Sequence, residues 1–314
     1  MPEGHSVHRL ARQFADVFSG QCLAVSSPQG RFADGAALLD GRTLVGTMAH
    51  GKHLFLRFEH GLVLHVHLGL YGAWDFGGDA TFRGASSIGA PRKVGEREVF
   101  DDGVTGAAAL DGSSGSSVDG DTAYAGPPAP VGAVRVRLAG DHGWADLRGA
   151  TTCHAITEEE AGTVLGRLGP DPLRNLPGDK EGFIAGVRAR KTPLAALLMD
   201  QKVIAGVGNV YRAELLFRQA LDPWLPGRSL DTDAAGALWE DAVLVMSDGV
   251  RDGRIITTPP GYWTEPAAGL PAPEESHFVY RRHGLDCRDC GTPVALTDLV
   301  ARKLYWCPAC QQGS

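Results

Sequence analysis

The 314-residue sequence contains no apolar run approaching the roughly 20 residues that a membrane-spanning helix needs. It shows no basic stretch followed by an apolar one near its start, so no secretory signal is expected and the compartment it predicts is the cytoplasm. It also lacks an excess of positive charge, with a formal net charge of -7. Taken as a sum, that charge argues against a nucleic-acid partner. Phosphate binding, however, depends on where the cations lie rather than on their total. Much of the acid is concentrated between Asp79 and Asp121, whereas the C-terminal segment carries Arg281, Arg282, Arg288, Arg302 and Lys303. Cysteine is sparse. Cys22 and Cys153 are solitary, and the other four of the six cluster near the C-terminus, which is metal-site spacing rather than a disulfide framework.

The length accommodates two modest domains, each with its own core. Near the start, Val7, Leu10, Ala11, Phe14 and Val17 recur at helical spacing and predict a buried face. Glu3 extends that stripe backwards, and a carboxylate on a core-facing side is costly without a partner or a task. The segment "HLFLRFEHGLVLHVHLGLYG" alternates as a hairpin with one buried side, turning at Glu59, His60 and Gly61 and placing His65 and His67 on the other face. From 77 to 130 a Gly-, Ser-, Ala- and Pro-rich, weakly acidic stretch reads as a disordered insertion. Alternation resumes at Val134, Val136 and Leu138, followed by a linker near 149–157. Beyond it the chain reads as helical, with Thr157, Thr192-Pro193 and Ser229 or Asp231 as helix starts.

Three motifs carry chemistry. "CRDC" and "CPAC" are separated by sixteen residues, so Cys287, Cys290, Cys307 and Cys310 can hold one structural Zn²⁺ with no open position for catalysis. So small an element would draw its folding energy from the metal. In "AGVGNVYRAELLF", glycines precede a helix whose free N–H groups form a possible anion site, with Asn209 either capping the helix or donating to a phosphate. At the start, removal of Met1 would leave Pro2 with a secondary amine beside Glu3; proline in a first helical turn is also an ordinary start. Lys52 follows a glycine turn, a position that is normally solvent-facing.

Together these motifs resemble the formamidopyrimidine-DNA glycosylase/endonuclease VIII (Fpg/Nei) family. "PEG", "GKHLF", "HLGLYG", "RLGPDPL", "LLMDQKVIAGVGNVYRAELLF" and "CRDCGTPV…ARKLYWCPACQ" occur in the family's order over nearly the whole chain outside the insertion. The resemblance implies an α+β fold: an N-terminal β-sandwich with flanking helices over 1–150, a helix-two-turn-helix domain over 157–265 and a zinc β-hairpin over 277–314. It implies a bifunctional glycosylase/lyase in which Pro2 forms a Schiff base, Glu3 serves as acid and base, Lys52 assists β-elimination and Arg302 δ-elimination. Arg167 and Asn209 match positions that hold DNA phosphates. Gly69, Leu70 and Tyr71 match the loop that fills the gap left by a flipped nucleotide, with Gly69 replacing the usual polar residue. That loop favours the endonuclease VIII branch and oxidised pyrimidines such as thymine glycol. An 8-oxoguanine glycosylase, a lyase restricted to abasic sites and a non-catalytic zinc-ribbon protein that binds damaged DNA are the alternatives. The implied partner is double-stranded DNA carrying oxidised bases or abasic sites, acted on by a monomer with no membrane contact.

Overall fold

The computed structural model describes residues 2–90 and 126–312. The chain forms two compact units. One comprises Leu10–Thr47 and Phe55–Glu158; the other gathers Pro2–Arg9, Met48–Leu54 and Glu159–Ser314. This differs from the boundaries drawn on the sequence, because two short N-terminal segments belong with the C-terminal half. Pro2, Glu3, Lys52, Asn209 and Arg302 therefore all lie in one unit.

Helix α1 (Gly4–Phe18) opens the chain, followed by β1 (Cys22–Ser26), α2 (Ala33–Leu39), β2 (Arg42–His50), β3 (His53–Phe58), β4 (Leu62–His67), β5 (Ala73–Gly78), β6 (Ser87–Gly89), β7 (Val134–Ala139), β8 (Gly143–Arg148) and β9 (Thr152–Thr157). These strands build the β-sandwich in the hydrogen-bonded order β6-β5-β8-β7-β1-β2-β3-β4-β9. The α1 stripe is buried as its spacing predicts: Glu3, Leu10 and Phe14 have no exposure and Val7 has 1%. Phe18 replaces Val17 as the last fully buried residue of that face. In the first unit Phe14 packs edge-on against Trp74 at 4.8 Å and touches Phe76 at 5.1 Å.

Three expectations change here. The β3–β4 hairpin is covered on both faces, because Phe55 and Val63 are as buried as Leu54 and Leu64. His65 is buried too, stacked on Phe55 at 4.8 Å with its imidazole pushed down to about 4 by burial and then by the charges of His154 and His67. The expected linker near 149–157 is strand β9, paired with β4 from Leu62–Thr157 to His67–Thr152. Order also continues past residue 77. β6 pairs with Ala73–Asp75 and buries Ile88, so the expected disorder does not apply up to residue 90; residues 91–125 lie outside the described residues.

The second unit is helical, with α3 (Glu158–Leu165) at its entry, then α4 (Asp179–Arg188), the short α5 (Leu194–Leu197), α6 (Asn209–Arg218) and α7 (Thr232–Asp252). Asp231 rather than Ser229 caps α7, its carboxylate accepting the Asp233 and Ala234 N–H groups at 2.9 Å. Leu197, Leu198, Ile204, Tyr211, Leu215, Trp239 and Met246 form the core of this bundle. The hairpin β10 (Ala295–Leu299) and β11 (Arg302–Trp306) turns at Val300 and Ala301, both with positive φ. The buried Glu214 of α6 accepts the N–H groups of Phe278, Val279 and Tyr280, which anchors the segment leading into that hairpin. Among the described residues no helix is long and apolar enough to cross a membrane.

Candidate active site

The N–H groups at the start of α6 are directed at a carboxyl group, and the chain itself supplies it. Glu3 accepts the Gly208 N–H at 2.8 Å and the Tyr211 N–H at 3.4 Å on Oε2, and the Val210 N–H at 2.9 Å on Oε1. A side chain at residue 208 would block this: a Cβ there would lie 2.4 Å from the Glu3 carboxyl carbon. Next to Glu3, the Gly4 N–H donates to the Gly206 carbonyl at 2.9 Å. The first residues of α1 are thereby fixed to the 206–211 turn independently of the acid.

Burial pushes the Glu3 carboxyl up from its ordinary value, against the Lys52 charge and the three N–H donors that favour the anion. Lys52 is partly buried, and desolvation lowers its ammonium; the Glu3 charge opposes that shift and the Arg302 charge adds to it. Lys52 thus lies within electrostatic range of both Glu3 and Arg302. Pro2 is buried beside Glu3, and Arg302 is exposed at the hairpin tip, donating to the Ala301 carbonyl at 3.3 Å. A buried acid that holds its proton more tightly than usual, beside an amine that holds its proton less tightly, is suited to general acid-base work.

Asn209 points inward, with its amide donating to the Lys303 carbonyl at 2.9 Å and its oxygen accepting from Arg212 at 2.5 Å. It therefore ties α6 to β11. Arg167 is exposed just beyond α3, and no described contact joins it to this group. In the first unit, Leu70 is 39% and Tyr71 80% exposed on the loop after β4. Gly69 there has φ +67, and a Cβ would lie 1.9 Å from the Thr151 hydroxyl, so any side chain at this position would be strained and would require Thr151 to move.

Sequence reasoning missed three buried groups. Arg212 is fully buried with Nε and Nη1 unpartnered, and burial brings it down to about 10. His5 is buried against Tyr211 and pushed down to about 3 by desolvation. Asp171 is fully buried and hydrogen-bonded to three other groups. Arg212 occurs in a run of helix-forming residues and Asp171 in a Gly-Pro loop, and neither setting signals burial.

The four clustered cysteines have ligand atoms all within 4.8 Å of one another. The Cys287–Cys310 and Cys290–Cys307 Sγ separations of 3.9 and 3.5 Å bracket the spacing of about 3.7 Å set by a tetrahedron with Zn–S bonds near 2.3 Å. The donor set fits a closed tetrahedral metal site.

Residues 1–103 match the N-terminal domain of formamidopyrimidine-DNA glycosylase, and residues 168–259 match its H2TH domain. The chain is 41% identical to endonuclease 8 1 of Mycobacterium tuberculosis over 319 residues, covering 99% of this chain and 100% of the relative. It is 29% identical to the formamidopyrimidine-DNA glycosylase of Thermus thermophilus over 314 residues, covering 99% and 98%. The crystal structure of the Thermus protein superposes with a TM-score of 0.64 at 26% identity, covering 99% of this chain and 98% of that one. By domain content, sequence and fold, the chain belongs to the Fpg/Nei family of DNA glycosylases.

Proposed function

We propose that this protein is a bifunctional DNA glycosylase and abasic-site lyase, acting on oxidised bases and first of all on pyrimidines such as thymine glycol. The observation that carries the proposal is the buried Glu3 carboxyl, its proton affinity raised by burial, next to Pro2 and within electrostatic range of Lys52, which is itself in range of Arg302. Once Met1 is removed, the neutral Pro2 nitrogen attacks C1′ of the damaged nucleotide, the bond from C1′ to the base breaks, and the Pro2 N–H proton is released to neutralise the departing base. Glu3 donates its proton to the ring oxygen, the sugar opens, and the nitrogen and C1′ form an iminium ion. That iminium acidifies the C2′ proton. Its removal, assisted by Lys52, expels the 3′ phosphate, and a second elimination assisted by Arg302 expels the 5′ phosphate.

The identity to an endonuclease 8, higher than to the Thermus formamidopyrimidine-DNA glycosylase, and the exposed Leu70-Tyr71 loop support the pyrimidine branch. The target base must leave the stack before Pro2 can reach its sugar. In this reading Arg167 and Asn209 serve the phosphate backbone, Asn209 by holding the β11 strand that carries Arg302. One structural zinc is held by the four cysteines, closed to catalysis, and supplies the folding energy of the hairpin.

The test is borohydride trapping on duplexes carrying thymine glycol, 8-oxoguanine or an abasic site, with wild type and Pro2→Ala side by side. A covalent adduct with thymine glycol that disappears in the variant is the expected result. Adducts with 8-oxoguanine alone move the protein to the other branch, and adducts at abasic sites alone leave a lyase. No adduct with any substrate overturns the enzymatic reading.

A further inference from the structure

The structure contains a second buried carboxylate with no place in the mechanism above. Asp171 lies in the loop between α3 and α4 and has no exposure. Its Oδ2 accepts from His8 Nε2 at 2.7 Å and from the Gly51 N–H at 2.7 Å, and its Oδ1 accepts the Leu173 N–H at 2.9 Å. His8 lies on α1, five residues after Glu3. Gly51 immediately precedes Lys52. One side chain therefore joins the segment that carries the acid to the segment that carries the lysine.

We propose that Asp171 is a positioning residue that sets where Lys52 sits relative to Pro2 and Glu3, and so governs elimination more than Schiff-base formation. The asymmetry follows from the other anchors. The acid end is held independently by the Gly4–Gly206 bond and by the three N–H groups on Glu3. The lysine turn is tied to the Asp171 loop by the Gly51 bond to Asp171, the bond from His50 Nε2 to the Gly169 carbonyl at 2.8 Å and the bond from Arg174 Nη1 to His50 Nδ1 at 3.1 Å. Gly169 and Arg174 flank Asp171, so all three bonds depend on the same loop. Releasing Asp171 should leave Pro2 and Glu3 in register and let the Lys52 backbone drift.

Burial alone would raise the Asp171 carboxyl. The His8 hydrogen bond and charge, with the Gly51 and Leu173 N–H groups, outweigh it and hold the group below its ordinary value. An anion bonded to three donors is a rigid fixture, and misplacement of a reacting group by about 1 Å can cost on the order of 10²-fold in rate.

The inference rests on the proposed role of Lys52, and the experiment separates the two. Zinc-loaded, Met1-processed wild type, Asp171→Asn and His8→Phe are given a duplex with a preformed abasic site under single-turnover conditions. Borohydride-trapped adduct and strand scission are followed on the same samples. Asp171→Asn is expected to lower scission between about tenfold and a hundredfold while trapping changes less than about threefold. His8→Phe, which spares the Gly51 bond, is expected to show the same selectivity at a smaller size, about threefold. Parallel loss of both steps, or loss of neither, in a variant that remains folded at the assay temperature overturns the inference. If Asp171→Asn does not fold, the ratio in His8→Phe decides, and an unchanged ratio overturns it. Absence of an adduct in wild type overturns the Pro2 reading, and this inference with it.

Discussion

Glu3 and Asp171 are both fully buried carboxylates, each accepts three hydrogen bonds, and their proton affinities shift in opposite directions. Burial is the largest influence on each, so burial does not separate them. The donors do. All three on Glu3 are backbone N–H groups, and desolvation lowers the proton affinity of the nearby lysine as well. Asp171 replaces one N–H with an imidazole at 2.7 Å, and charge-assisted bonds are roughly twice as strong as neutral ones. A buried acid that binds its proton more tightly is placed to deliver it; one that binds it less tightly is placed to hold its neighbours.

The contrast can be broken most severely at Glu3. Glu3→Gln keeps the outline but carries no transferable proton, and base excision should fall on the order of 10²- to 10⁴-fold in a single-turnover assay. Stability should respond in the reverse order. Asp171→Asn removes a buried anion from its partners and should cost about 3 kcal/mol in urea unfolding, whereas Glu3→Gln should cost about 1 kcal/mol or less. The two acids should also differ in pH dependence. The Glu3 value is raised, so its stabilising contribution is present below 4.5 and is lost as pH rises through the folded value. The Asp171 value is lowered, so its contribution is present above 3.8 and is lost as pH falls through the folded value. Unfolding of each variant across pH 3–8 (about the range accessible to urea melts) should remove the matching limb. His5 is buried neutral and titrates at about 3. It should add up to about 1.4 kcal/mol per pH unit to the loss of stability as pH falls from 6.5 towards 3, and His5→Phe should flatten that slope.

Glu3 was legible in the sequence because local periodicity exposes it: a carboxylate on the apolar stripe of α1 contradicts its own surroundings. The zinc cysteines were legible for a similar reason, as two short knuckles at fixed spacing. Asp171 could not be read in this way. Its partners His8 and Gly51 are 163 and 120 residues away, and nothing in "GPDP" signals burial. The N-terminus of α6 was half legible, since its glycines and free N–H groups offered a site for an acceptor but not that the acceptor would be a carboxyl 205 residues earlier in the chain. Strand β9 was missed because its alternation is weak, and its assignment depends on the β4 partner it meets. The second face of the β3–β4 hairpin was missed because histidine reads as polar, whereas His65 is packed as an aromatic ring.

The missing side chain at residue 208 has a practical side. The carboxyl of Glu3 occupies the space where even a methyl group would sit. Gly208→Ala, one methyl group on an otherwise intact surface, is expected to push the acid out of its cradle while leaving the exposed Arg302 and Leu70-Tyr71 loop untouched. Such a protein would be a reagent rather than an enzyme, a label that settles on lesions and leaves the strand whole. A gel shift run beside a cleavage assay would read it directly, and retained cutting would show that the cradle yields.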